Sequence, residues 1–226
     1  FRKVSHVIFD MDGLLLDTEP IYEDMTRQIA KSYGKPYPFD VRMRIMGTTE
    51  QLTAKIAVTE LGLPISVEEF MKKFSELGRV RLADVNLMEG AERLLYHLHD
   101  NKVPFALATS SSDEMVEVKT RNHRELFKLF HHQVCGSTDP EVKAGKPAPD
   151  IFLVAASRFP SKPKPNDCLV FEDAPNGVRA AKSAGMQSVM VPDEHVPEEM
   201  RTDATLVLSS LEEFKPEQFG LPPFPK

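Results

Sequence analysis

Two carboxylates stand two residues apart, at Asp10 and Asp12, directly after the apolar run Val7-Ile8-Phe9. Such a run is a strand signal, and the residue just past a strand tip points into any pocket built there. Paired acids are costly to bury at that point unless something neutralises them. Gly13 follows and permits an unusual backbone angle. Taken alone, this Asp-x-Asp pattern is equally well explained by a solvated strand-to-turn junction. A second acidic pair, Glu172 and Asp173, follows the run Cys168-Leu169-Val170-Phe171. If the two strands are neighbours, three or four carboxylates converge, and close like charges do not all stay ionised without a cation. A hard cation with oxygen ligands, magnesium first among them, meets that need. By itself the Glu172-Asp173 pair is also what a helix N-terminus favours.

Two further segments suit a phosphate. Thr109 and Ser110 follow the apolar run Val103 to Ala108. A hydroxyl there, with the backbone N–H groups of a following helix, would grip phosphoryl oxygens, although such a cluster is usually only a cap. Lys146 sits on a loop stiffened by Pro147 and Pro149. A lone lysine of this kind is ordinarily a solvated charge. The order of the four segments along the chain is what makes them a set.

The elements that must position them alternate. Strand signals fall at Val4–Phe9, Val103–Ala108, Gln133–Cys135, Cys168–Phe171 and Gln187–Val191, with a short edge strand expected at Thr205–Leu208. Helical patterns fall at Ala91–Leu98, at Ile151–Arg158 with Asp150 as N-cap, and at Asn176–Ala184 ending on Gly185. Strand alternating with helix means α/β architecture, with a parallel sheet covered on both faces and like strand ends gathered at one edge. One stretch breaks the alternation. From 19 to 86 three helices are expected, Ile21–Tyr33, Thr49–Leu61 and Val67–Leu82, punctuated by Pro36, Pro38, Gly62 and Pro64. An insert directly after the first strand would sit over the strand ends as a lid. The core is therefore expected at 1–18 and 87–226. The tail from Phe214 to Phe224 reads as irregular chain docked by its aromatics.

Bulk properties exclude several classes. The net charge of −6 argues against a nucleic-acid polymer as partner, since that needs a basic surface. No apolar run approaches the roughly 20 residues of a membrane span. No signal peptide is expected, because the opening apolar run stops at Asp10, and a start at Phe1 suggests that a few residues precede it. Two distant cysteines, Cys135 and Cys168, make neither a disulfide framework nor a four-ligand zinc site. They are expected buried and reduced, which suits a cytoplasmic protein. His97 and His99 point to different faces of a helix, so no histidine is expected to function.

The segments Asp10 to Thr18, Thr109-Ser110, Lys146 and Glu172-Asp173 resemble, in order, the four motifs of the haloacid dehalogenase superfamily. The match runs from Val4 to about Asp193. Each motif is weak alone, and the ordered set is highly specific. The resemblance implies a Rossmann-like three-layer core with an inserted helical cap. It implies Asp10 as nucleophile and magnesium ligand, and Asp12 as general acid then base that also lends its carbonyl to the metal. Thr109 and the Ser110 amide would hold phosphoryl oxygens, and Lys146 would neutralise nucleophile and phosphate. Asp173 would bind magnesium, with Glu172 as ligand directly or through water. Members that keep the second aspartate are typically phosphatases or phosphomutases, so dehalogenation is not expected.

A closer resemblance is to a eukaryotic subgroup holding pseudouridine-5′-phosphatases, with their insect relatives, and plant glycerol-phosphate phosphatases. It rests on Phe9–Glu19, Gly145–Phe152, Leu169–Gly177 and Phe219–Phe224. Glu89 departs from the proline usual in that group, which leaves the placement of the cap open. The resemblance implies a small phosphorylated metabolite as partner, pseudouridine 5′-phosphate first, with a glycerol phosphate or a sugar phosphate as alternatives. Substrate choice would fall to the cap, through Glu19, Tyr22, Gly47, Thr48 and Lys55. The turn at Gly47-Thr48 would either reach the site or merely join two helices. A phosphomutase and an inactive binding protein are the alternatives, and a monomer is expected.

Overall fold

The computed structural model describes residues 1–225. At its centre is a parallel sheet of six strands. These are β1 (His6–Phe9), β2 (Phe105–Thr109), β3 (Gln133–Cys135), β4 (Cys168–Glu172), β5 (Gln187–Met190) and β6 (Leu206–Val207). Their spatial order is β3-β2-β1-β4-β5-β6, so the direction of winding reverses between β1 and β4. Ligands in open parallel sheets bind in the crevice at such a reversal, beyond the carboxyl ends of the strands. Phe9 pairs with Leu107 on one side and Phe171 on the other, which brings Asp10, Thr109 and Glu172 to one edge.

The insert comes first among the helices: α1 (Glu19–Ser32), α2 (Phe39–Ile45), α3 (Glu50–Glu60) and α4 (Val67–Arg81). It thus holds four helices where the sequence suggests three. The extra one, α2, is short and buries only Val41, too little to give an amphipathic period. Ile29, Ala54, Ala57 and Phe70 form an apolar cluster belonging to the insert alone. The start of α4 is fixed by a reciprocal cap, Ser66 Oγ accepting from the Glu69 amide and Glu69 from the Ser66 amide.

Five further α-helices follow among the described residues: α5 (Ala91–Asp100), α6 (Asp113–Thr120), α7 (Arg124–Phe127), α8 (Asp150–Ser157) and α9 (Pro175–Ser183). The sequence points to a helix after Thr109-Ser110 without giving bounds for α6, and does not lead one to expect α7. The first is half charged and starts on a Ser112 cap, and the second is a single turn. Side chains of β1 alternate between the two faces of the sheet. Val7 and Phe9 join Leu94, Leu95 and Leu98 of α5, while Ile8 joins Phe152 of α8 and Ala181 of α9. The result is helix, sheet, helix: a Rossmann-like α/β fold. The tail makes two short 3-10 turns, Leu211–Glu213 and Pro216–Phe219. It docks as expected through buried aromatics, Phe214 meeting Phe171 edge-on at 4.8 Å. Both cysteines are buried and unpaired, and burial pushes each thiol up to about 12. Among the described residues no helix is long and apolar enough to cross a membrane.

Candidate active site

Asp10 leaves β1 with its amide donating to the Phe171 carbonyl of β4 at 3.0 Å. Its Oδ1 accepts from Lys146 Nζ at 2.5 Å, and the same ammonium donates to Glu172 Oε1 at 2.6 Å and the Ala108 carbonyl at 3.3 Å. Lys146 is 1% exposed and lies 5.1 Å from the Phe152 ring centre. The loop that carries it is tied from behind. Asp150 does not cap α8 through its side chain. Its Oδ2 instead accepts from the amides of Lys143 and Ala144, both at 3.0 Å. The carboxylate expected to cap a helix therefore shapes the lysine loop.

Asp10, Glu172 and Asp173 each offer an oxygen, and the three lie within 4.8 Å of one another. Two glycines make room for this crowding. A Cβ on Gly13, which sits at φ +78°, would lie 2.3 Å from Asp173 Oδ2. One on Gly177, in the first turns of α9, would lie 1.8 Å from Glu172 Oε1. Burial raises the Asp10 carboxyl to about 7; Lys146 opposes this, while Glu172 and Asp12 add to it. Asp173 is also held well above the usual range, by burial and then by Glu19, Glu172 and Asp10. Three buried acids facing one lysine are short of positive charge, and their hard oxygen atoms suit a divalent cation. The cluster is thus one that could hold a metal ion. Glu172 is the most occupied member, since its Oε2 also accepts from the amides of Asp173 and Ala174.

Asp12 turns away from this cluster. Lys119 Nζ donates to both of its oxygens at 2.7 Å, and Ser111 Oγ donates to Oδ2 at 2.9 Å. Burial works to raise its pKa, but Lys119, then Ser111 and Thr18, hold it below the ordinary value. Sequence reasoning misses Lys119. The signal is its place on the buried face of α6 with Met115, Val116 and Thr120. Thr109 is wholly buried; its hydroxyl donates to Asp12 Oδ2 at 3.4 Å and accepts from the Ser111 amide at 3.2 Å. Ser110 Oγ donates to the Gly47 carbonyl of the insert at 3.2 Å.

A cavity lies between the insert and the sheet edge, bordered by Asp10, Asp12, Glu19, Tyr22, Gly47 and Thr48. Lys55 is not part of it; it is exposed on α3, whose buried side runs through Thr53, Ala54 and Ala57. The turn at Gly47 serves docking as well as lining. A Cβ there would lie 2.7 Å from the Ala174 Cβ, and the neighbouring Met46 carbonyl accepts from Asn176 Nδ2 at 3.1 Å. The Thr48 hydroxyl is taken by the Ile45 carbonyl and Thr53 rather than aimed at the acids. Burial, then Asp12, raises Glu19 to about 8, with Arg42 opposing. Two lining features escape the sequence reading. Phe74 stacks on Tyr22 at 5.7 Å and 10°, forming an aromatic wall. Arg42, paired with Glu23 at 3.1 Å and Asp193 at 3.5 Å, leaves its buried Nε without a partner.

A carboxylate at a strand end, beside a buried lysine and an acid cluster that could hold a metal ion, makes a site suited to a ligand rich in negative charge. The family comparison agrees: a model for haloacid dehalogenase-like hydrolases matches residues 4–185. The chain belongs to that family. It is similar to a probable pseudouridine-5′-phosphatase of Drosophila melanogaster, 59% identical over 99% of this chain and 96% of that one. It is also similar to the mitochondrial (DL)-glycerol-3-phosphatase 1 of Arabidopsis thaliana, 46% identical over 98% of this chain and 75% of that one. Among solved structures, a putative β-phosphoglucomutase from Thermotoga maritima superposes with a TM-score of 0.67. It is 35% identical, and the match covers 91% of this chain and 94% of that one.

Proposed function

We propose that this hydrolase is a magnesium-dependent phosphomonoesterase that works through an aspartyl-phosphate on Asp10. The observation that carries the reading is Asp10 at the β1 tip, gripped by Lys146 at 2.5 Å and flanked by Glu172 and Asp173. Asp10 attacks phosphorus, and the bond to the leaving oxygen breaks as Asp12, which must take up a proton for this half against the pull of Lys119, protonates it. Asp12 then takes a proton from water, whose oxygen attacks phosphorus and frees Asp10. Lys146, Thr109 and the Ser110 amide steady the phosphoryl oxygens. A magnesium ion on Asp10, Asp173 and the Asp12 carbonyl, with Glu172 directly or through water, would add fixed positive charge against those oxygens. The helical insert at 19–86 acts as a cap over core segments 1–18 and 87–226.

Pseudouridine 5′-phosphate is the favoured substrate. The Drosophila relative bears that name, and the Tyr22-Phe74 wall offers a planar base an apolar face. A glycerol phosphate is the second reading, supported by the plant relative. Glu19, Tyr22, Gly47 and Thr48 would select among them. The test is phosphate release from pseudouridine 5′-phosphate, uridine 5′-phosphate, glycerol phosphates and sugar phosphates, with and without magnesium. Preference for the pseudouridine ester is expected; preference for a polyol ester moves the assignment to metabolite dephosphorylation. Absence of release across the panel would leave a binding protein, and a need for a bisphosphate activator would point to a mutase. The buried, unpaired thiols fit a reducing compartment such as the cytoplasm; a monomer is expected, and light scattering in solution would check it.

A further inference from the structure

Two aspartates need neutralising at this sheet edge, and two separate lysines do it. Lys146 serves Asp10 and Glu172. Lys119, which the reaction outlined above does not use, serves Asp12. It is fully buried in the last turn of α6, and a buried ammonium is costly unless every proton finds an acceptor. Four oxygens surround its Nζ: Asp12 Oδ1 and Oδ2 at 2.7 Å, Ser111 Oγ at 2.6 Å and Tyr22 OH at 2.9 Å. Equal approach to both carboxylate oxygens is what an ionised aspartate accepts. The ring of Tyr22 belongs to α1 of the insert and stacks on Phe74 of α4. One of the four acceptors thus comes from the insert and three from the core.

We propose that Lys119 is a positioning residue that holds Asp12 as an oriented carboxylate for the second half of the reaction, and that Tyr22 links this grip to the seating of the insert. The inference rests on the aspartyl-phosphate reading. In the second half the water oxygen bonds to phosphorus, the acyl-phosphate P–O bond breaks, and the water proton passes to Asp12. That step needs a base whose oxygen faces the attack line. Without the ammonium, the Asp12 carboxylate keeps only neutral hydroxyls, those of Ser111 and Thr109 on its Oδ2 and that of Thr18 beside it. Its orientation is then free to drift. Formation of the phosphoenzyme from an aryl ester is spared, because a nitrophenolate leaves without being protonated.

The experiment is a rapid-mixing assay with p-nitrophenyl phosphate and magnesium on wild type, Lys119→Met and Tyr22→Phe. Lys119→Met is expected to release about one equivalent of nitrophenol in a burst, then turn over about 10²-fold more slowly than wild type, the scale of general-base catalysis. Acid quenching should trap the accumulated phosphoenzyme. Tyr22→Phe, which removes one acceptor and keeps the ring, should slow the same phase by a smaller factor. In an Asp12→Asn background, Lys119→Met should cost less than about threefold, since the base it positions is gone. Steady-state turnover of Lys119→Met within about threefold of wild type would overturn the proposal. So would loss of the burst together with the turnover, or full additivity with Asp12→Asn. Wild type forming no phosphoenzyme would instead bring down the phosphatase reading itself.

Discussion

At the residue scale the site divides its charge. Asp10 belongs to a crowded acid cluster and is raised to about 7, whereas Asp12, two residues on, is held low by its own lysine. Groups of one type pushed apart by environment are how an active site assigns different tasks to similar side chains. In the proposed mechanism Asp10 is the attacking atom, so Asp10→Asn tests it directly. An amide is a poor nucleophile, and phosphate release is expected to fall by about 10³-fold or more. Retention of activity within about tenfold would remove Asp10 from that role. Most of this division is not visible in the residue types. The sequence offers Asp12 and Lys119 separated by a long stretch of chain, and nothing local says that they meet.

At the element scale the crowding is made possible by backbone. The carboxylates of β4 and the β1 tip approach because Gly13 and Gly177 present no side chain to them. Gly177 tests this without any change of charge. It lies in α9, where alanine is otherwise the better helix former, so local propensity favours Gly177→Ala. The added Cβ would nonetheless fall 1.8 Å from Glu172 Oε1 and must displace that carboxylate, and with it Lys146. A drop of tenfold or more in turnover is expected, with lowered thermal stability, read by phosphate release and by calorimetry. A variant as active and as stable as wild type would mean that Glu172 moves freely. The loop of Lys146 shows the same dependence on neighbours, since Asp150 holds it through two backbone amides.

At the scale of the whole molecule the proposed ion site would couple ion binding to stability. Asp10 is raised from 3.8 to about 7 and Glu19 from 4.5 to about 8, both first by burial. A carboxyl raised in the folded state adds stability that is complete below its unfolded value and is lost as pH rises through the folded one. The metal-free protein therefore loses this contribution between about pH 4 and pH 8. A divalent cation favours the ionised forms and reverses the loss. The rise in melting temperature on adding magnesium is expected to be small near about pH 5 and larger near about pH 8, and Asp173→Asn should abolish it. An equal rise at both pH values would mean that the ion binds away from these carboxyls. The insert takes part in this coupling, because Glu19 belongs to α1 and its carboxyl answers to Asp12 and Arg42.

The sequence alone determined the parallel α/β core and the family, because apolar runs ending in acids repeat at strand tips and four motifs stand in a fixed order. Strand positions were legible since strands buried on both faces are short and continuously apolar. Helix α2 and the single turn of α7 were not, because elements that short carry too few buried positions to show a period. Only the tertiary structure decided that Asp150 braces a loop instead of capping a helix, and that Lys55 faces away from the cavity. It alone joined Lys119 and Tyr22 to Asp12, and Phe74 and Arg42 to the cavity wall. The reason is physical. A strand tip or a turn is specified by neighbours along the chain, whereas the partner of a buried charge is chosen by packing between distant segments.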